Sequence, residues 1–163
     1  MSVNTSKVTG RRQLKFQSLD EVLADAERCA GEGYRPLGNW SAGQIFAHIA
    51  RAMHGSIDGM PFQVPWLIRC VLTLFRKRYI NGPISPGVTL PSTAKSLIAE
   101  PSVSTEQGLA DLRQAIARLK QTAARAPSPA FGVMSREDSD RLHMTHAAMH
   151  LSFLIPAHDG DHE

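Results

Sequence analysis

Apolar residues recur along this chain at three- and four-residue steps in four places, and a serine opens each run. Leu19, Val22, Leu23 and Ala26 form the first stripe. That spacing sets apolar side chains on one face of a helix. Ser18-Leu19-Asp20-Glu21 reads as a capping box, in which the serine accepts from a free backbone N–H and the glutamate reaches back. Gly31 and Gly33 predict the end of that helix. A second helix is predicted from Ser41, with a box-like Ser41-Ala42-Gly43-Gln44 and an inward stripe of Ile45, His48, Ile49, Ala52 and Met53. It fades near Gly59 to Pro61. The third is the clearest: Ser104 and Gln107 open it, and Leu109, Leu112, Ile116, Leu119 and Ala123 make one apolar face before Pro127 and Pro129 stop it. A fourth starts at Ser135, with Asp138 in a first turn whose dipole favours negative charge. Its stripe is Leu142, Thr145, His146, Met149, His150 and Phe153, and Pro156 closes it.

Between the second and third helices the pattern changes. Trp66 to Arg76 reads as an amphipathic, partly exposed helical segment. Residues 81–103 carry Pro83, Pro86, Pro91 and Pro101 among glycines and serines, with a short helical turn predicted around Lys95 to Ile98. A connection that long is commonly a lid or a crossover. Residues 1–17 read as a tail and lead-in, 18–156 as the helical domain and 157–163 as a frayed end. No internal repeat stands out, and no strand pattern of convincing length. The expected fold is an all-α helix bundle with one long crossover connection.

Composition narrows the partners. A chain of 163 residues suits one domain and can bury a core without disulfides or a structural metal. The net charge of +3 is scattered. Its densest clusters, Arg76-Lys77-Arg78 and Arg11-Arg12, fall short of the basic stripe that nucleic acids need, so they read as solvated surface charge. Cys29 and Cys70 make no CxxC pair and read as small core residues in a reducing compartment. The start of the chain has no apolar signal core, which gives a cytoplasmic expectation. The longest apolar stretch, Val64 to Phe75, is broken by Pro65 and Arg69 and is too short to span a bilayer, so no membrane partner is expected. Within it, Trp66 to Phe75 is either an oligomer face or packed on its own bundle.

Three of the seven histidines stand in unusual places. His146 and His150 are four apart, so their rings leave one side of a helix one turn apart. His48 lies among Ile45, Ile49 and Ala52 on the inward face of another helix. Buried imidazoles need partners, and the flanking sequence supplies few. One divalent transition metal would satisfy a nitrogen of each ring and leave the others to outer acceptors. Three protein ligands with open positions is the pattern of a catalytic site. Zn, Ni and Fe all suit imidazole, as does Cu, and affinity alone does not choose among them. Spacing leaves a second reading open, a metal-free hydrogen-bonded core. His143 falls on the flank of the stripe and reads as exposed rather than as a neighbour of the site. His54 lies off the inward face, and His158 and His162 lie in the polar tail.

Asn39-Trp40-Ser41-Ala42-Gly43-Gln44-Ile45-Phe46-Ala47-His48 resembles the W-S-x-x-x-x-x-x-H signature of the DinB/YfiT-like superfamily, and His146-Ala147-Ala148-Met149-His150 resembles its HxxxH motif. The lead-in from Arg11 to Leu23 and the ending from Arg141 to Leu154 look like one uncharacterised branch of it. The resemblance covers nearly the whole chain. It implies an up-down-down-up four-helix bundle with a crossover after the second helix, a three-His divalent metal site and a homodimer. Some members are thiol-dependent S-transferases or isomerases using bacillithiol or mycothiol. That branch often has two adjacent histidines where this chain has Met149-His150, and nothing here matches a general base.

Two functions follow. One is a metal-dependent enzyme joining a low-molecular-weight thiol to an electrophilic small molecule. In it Gln44 orients a ligand, or merely caps its helix, and the Pro83 to Pro101 loop lines the mouth. The other is a non-catalytic metal- or small-molecule-binding stress protein. No catalytic residue is identified from sequence.

Overall fold

The computed structural model describes residues 3–87 and 92–157. His158, His162 and Pro91 lie outside the described residues. Within them the chain is mostly helical, with six α-helices and two three-residue strands. The helices are α1 (Leu19–Glu32), α2 (Ala42–Asp58), α3 (Trp66–Leu74), α4 (Arg76–Asn81), α5 (Thr105–Gln121) and α6 (Arg136–Leu151). The strands are β1 (Tyr34–Pro36) and β2 (Leu154–Pro156).

All four expected serine caps form. The side chains of Ser18, Ser41, Ser104 and Ser135 each accept from the backbone N–H three residues on, and at Ser41 and Ser104 the glutamine closes a full capping box. Gly33 ends α1 with φ 78° and Gly59 ends α2 with φ 96°, a region where only glycine is unstrained.

The long helices α1, α2, α5 and α6 pack about one core. It includes Val22, Ala26 and Cys29 of α1, Phe46, Ile49 and Met53 of α2, Leu112, Ile116 and Leu119 of α5, and Ala147 and Leu151 of α6. α2 packs most extensively on α5. Two glycines set that approach. A Cβ at Gly43 would run into the Val103 and Ser104 backbone, and one at Gly108 would run into the Gly43 backbone. α2 is therefore sunk deep in the molecule, with eleven of its residues buried, and it carries His48 with it.

The lead-in packs on the core rather than trailing. The Arg12 guanidinium meets Asp25 of α1 at 2.6 Å, both side chains only about a tenth exposed, and donates to the Leu151 carbonyl at 3.0 Å. β1 and β2 pair antiparallel, Arg35 opposite Ile155, and close the same end.

Several expectations change. The two strands were not expected. They are three residues long and too short for alternation to register. The segment after Pro65 is two helices, α3 and α4, joined at Phe75. The turn expected near Lys95 is a 3-10 helix, Ser92–Leu97. α5 ends at Gln121 because Arg125 folds back onto the Leu119 and Thr122 carbonyls, so Ala123 lies outside the helix and exposed. Cys29 is buried as expected, but Cys70 is exposed, because α3 buries none of its residues.

Candidate metal centre

α2 and α6 bring His48, His146 and His150 together. One ligand nitrogen from each lies within 4.8 Å of the other two, and the group could hold a metal ion. His48 Nε2 is 3.2 Å from His146 Nε2. Two nitrogens bound to one tetrahedral Zn at ~2.0–2.1 Å stand roughly 3.3 Å apart. That pair is therefore already at ligand spacing, and the widest pair needs to close by no more than about 1.5 Å, within reach of small ring rotations. The ring centroids lie 5.1 Å apart for His48 and His146, and 4.6 Å for each of the other two pairs.

His48 Nδ1 stands 2.8 Å from the Leu97 carbonyl. A carbonyl only accepts, so Nδ1 carries the proton and Nε2 presents its lone pair to the site. This is the arrangement in which an imidazole ligates a metal through one nitrogen while the other is held by an outer acceptor. The Leu97 contact belongs to a row. Gln44 Nε2 donates to the Ala99 carbonyl at 3.2 Å, and Arg51 Nη1 donates to the Ser96 and Ile98 carbonyls at 3.2 and 2.5 Å. Three side chains from one face of α2 thus grip four successive carbonyls of the crossover. Gln44 Oε1 meanwhile accepts from the Ser41 N–H, so both ends of this side chain are engaged in structure. It caps and clamps, and the reading in which it orients a ligand loses ground.

Burial keeps these rings neutral. His48 is lowered by loss of solvent, only partly offset by its bond to Leu97. His146 is held well below 6.5 by burial and then by its histidine neighbours. His150 falls to about 3, by burial first and then by His48. Neutral imidazole is the form that ligates. His48 is buried, and His146 and His150 are half-buried. Trp40 forms its wall. The indole stacks on His150 at 5.5 Å with an interplanar angle of 3° and meets His48 edge-on at 5.0 Å.

The buried face of α6 differs from the expected stripe. Ser139, His143, Ala147, Ala148 and Leu151 are buried, and Thr145, His146, Met149 and His150 are half-buried. His143, expected to be exposed, is 6% exposed, and its Nε2 has no hydrogen-bond partner among the described residues. Desolvation lowers it to about 4 against the opposing pull of Asp140. His54 stays off the inward face, half-buried, with Nδ1 3.3 Å from Arg118. Sequence reasoning gave no role to Trp40 or Arg51. Arg51 follows His48 by three residues, and that spacing was the available signal for a shared task.

A family model described as "Protein of unknown function (DUF1569)" matches residues 8–157. No curated protein and no solved structure matches the chain.

Proposed function

The chain belongs to the DUF1569 family, whose description names no activity, and from that premise we propose that it binds one divalent transition metal through His48, His146 and His150. The observation that carries the reading is the convergence of three neutral imidazoles from two helices, one already fixed in the ligating tautomer by Leu97. Zn, Ni and Fe are the ions this donor set suits. We further place the family in the DinB/YfiT-like superfamily, on the W-S-x-x-x-x-x-x-H and HxxxH motifs at Trp40–His48 and His146–His150. The fold then reads as an up-down-down-up bundle over residues 18–156 with the crossover after α2.

On this reading the protein is a metal-dependent small-molecule enzyme that transfers a low-molecular-weight thiol to an electrophile, in the cytoplasm and as a homodimer. A bound metal would supply a Lewis acid that favours the thiolate form of a thiol at the site. The chain's own residues do the rest. Leu97 holds the proton of His48 on Nδ1 and so keeps Nε2 pointing inward. Trp40 braces His150 and shields one side of the cluster from water. A small molecule would approach from the side of His146 and His150, which are half-buried where His48 is buried.

A second reading, a non-catalytic metal- or small-molecule-binding stress protein, is favoured by one specific observation. Among the described residues, the charges that shift the three histidines are those of Arg51 and of other histidines, with no carboxylate among them to serve as a general base.

Elemental analysis of protein purified without an affinity tag, wild type beside His146→Ala, tests the site. Near-stoichiometric metal in the wild type and its loss in the variant are expected. No metal in either, even after incubation with Zn, Ni, Fe and Mn, overturns the reading. Joint consumption of a thiol and an electrophile by the metal-loaded protein separates enzyme from binder.

A further inference from the structure

α3 presents an apolar surface of unusual extent. Trp66 is 71% exposed, Leu74 82%, and Leu67, Ile68, Val71 and Phe75 are each more than half exposed. At the helical step of ~100° per residue, Trp66, Leu67, Val71, Leu74 and Phe75 fall within an arc of about 180° centred near Leu67 and Leu74. Leu72 and Arg69 lie on the opposite side, where Leu72 is half-buried and the Arg69 guanidinium reaches back beside Gly132. Exposed apolar patches this large mark a binding surface.

Charge identifies the occupant. Arg76-Lys77-Arg78 follows Phe75 directly, and from Asp58 to Glu100 the chain holds Arg69, Arg76, Lys77, Arg78 and Lys95 but no acidic residue between those ends. Lys77 and Arg78 are exposed. One acid approaches from elsewhere, Asp138 of α6, at 3.9 Å from Arg76, with both side chains about a third exposed. Arg78 donates to the Pro83 carbonyl at 3.0 Å, which keeps its charge uncompensated. A second copy of α3 carries the same basic excess and no acid between Asp58 and Glu100, so it offers this surface no opposite charge from the matching segment. A surface that is apolar below and anionic above meets both features at once.

We propose that α3 and the basic turn of α4 dock on an anionic lipid membrane surface, with Trp66, Leu67, Val71, Leu74 and Phe75 entering the headgroup–acyl boundary and Arg76, Lys77 and Arg78 meeting the headgroups. An interfacial helix joins Trp, Phe and Leu on one face to Arg and Lys beside it and lies in the membrane plane. No helix among the described residues is long and apolar enough to cross a membrane. The sequence expectation of no membrane partner rested on spanning length, and docking in the plane does not require it.

Flotation of the full chain with vesicles tests the proposal. Vesicles of phosphatidylcholine with about a third phosphatidylglycerol bind the protein, and vesicles of phosphatidylcholine alone do not. Removing a basic residue near the surface weakens binding about fivefold, so replacing Arg76, Lys77 and Arg78 together by Gln weakens it roughly a hundredfold. Leu74→Glu and Trp66→Glu each abolish stable binding and leave circular dichroism and the melting temperature unchanged, because both side chains already stand in solvent. Wild-type protein that stays unbound overturns the proposal, as does equal binding to neutral vesicles. Binding that the charge variants lose and the two Glu variants keep is plain adsorption of a basic chain, and it also overturns the proposal. A solution dimer that Leu74→Glu turns into monomer, without vesicle binding, assigns the face to a second copy instead.

Discussion

Acid should destabilise this protein through its buried histidines, and one of them is a group that sequence reasoning left on its surface. His143 is buried in α6 with Nε2 unpartnered among the described residues, and its pKa is lowered from 6.5 to about 4. In the unfolded chain it takes up a proton near pH 6.5, and in the fold it resists until about pH 4. Between those values the unfolded state binds more protons, so stability is lost as the pH is lowered. The contribution is fully present above pH 6.5, shrinks as pH drops, and is gone near pH 4. By pH 5.0 the loss from this one group is on the order of 2 kcal/mol, out of the roughly 5–15 kcal/mol of a typical domain. Replacing His143 by Met, an unbranched side chain that adapts to irregular space, removes the titration. Urea denaturation in the presence of a chelator, at pH 7.5 and pH 5.0, reads the effect. The variant should lose about 2 kcal/mol less than wild type between the two values. At pH 7.5 it should match or exceed wild type, because an unpartnered buried polar atom is itself a cost of about 1–3 kcal/mol. A variant that loses as much stability as wild type on acidification refutes the reasoning, since burial would then not be what holds His143 neutral.

Gly43→Ala and Gly108→Ala should each destabilise by about 1–3 kcal/mol in chemical denaturation despite the better helix propensity of alanine, because the obstacle is backbone that cannot rotate away. Arg125→Met should cost about 1–3 kcal/mol by the same assay. Its side chain is 2% exposed and holds Asp140 at 2.8 Å together with the Leu119 carbonyl, and its loss leaves Asp140 to solvent and to Arg136 at 3.7 Å and takes a donor from that carbonyl. Trp40→Ala should weaken metal binding about tenfold in a chelator-dye competition, with Trp40→Phe restoring most of it, because a flat ring on His150 is what the stack requires.

What was legible in the sequence was whatever local rules control. The serines at 18, 41, 104 and 135 fixed four helix starts because a cap acts within three residues. The four-residue step from His146 to His150 put two rings on one side of α6. What escaped depended on contacts far along the chain. β1 and β2 are strands only because residues 34–36 and 154–156 meet. The deep face of α6 is built from Ser139, His143, Ala147 and Ala148, small or polar residues that leave little apolar signal, so the expected stripe came out rotated. An apolar run such as 66–75 looks the same in sequence whether it faces a core or solvent, and that ambiguity misplaced Cys70.

The grip of α2 on the crossover ends on main-chain oxygens, at Ser96, Leu97, Ile98 and Ala99. Side-chain identity at the exposed positions 96 and 98 is therefore free to drift without touching the orientation of His48. The acceptors are spaced by the backbone itself, and their register is what the site depends on. Loss or gain of one residue between Leu97 and Ser104 would slide the carbonyls past His48, Arg51 and Gln44 together. Across related chains this connection should vary in letters and hold its length, so that alignment columns would understate how tightly the segment is tied to the histidine beneath it.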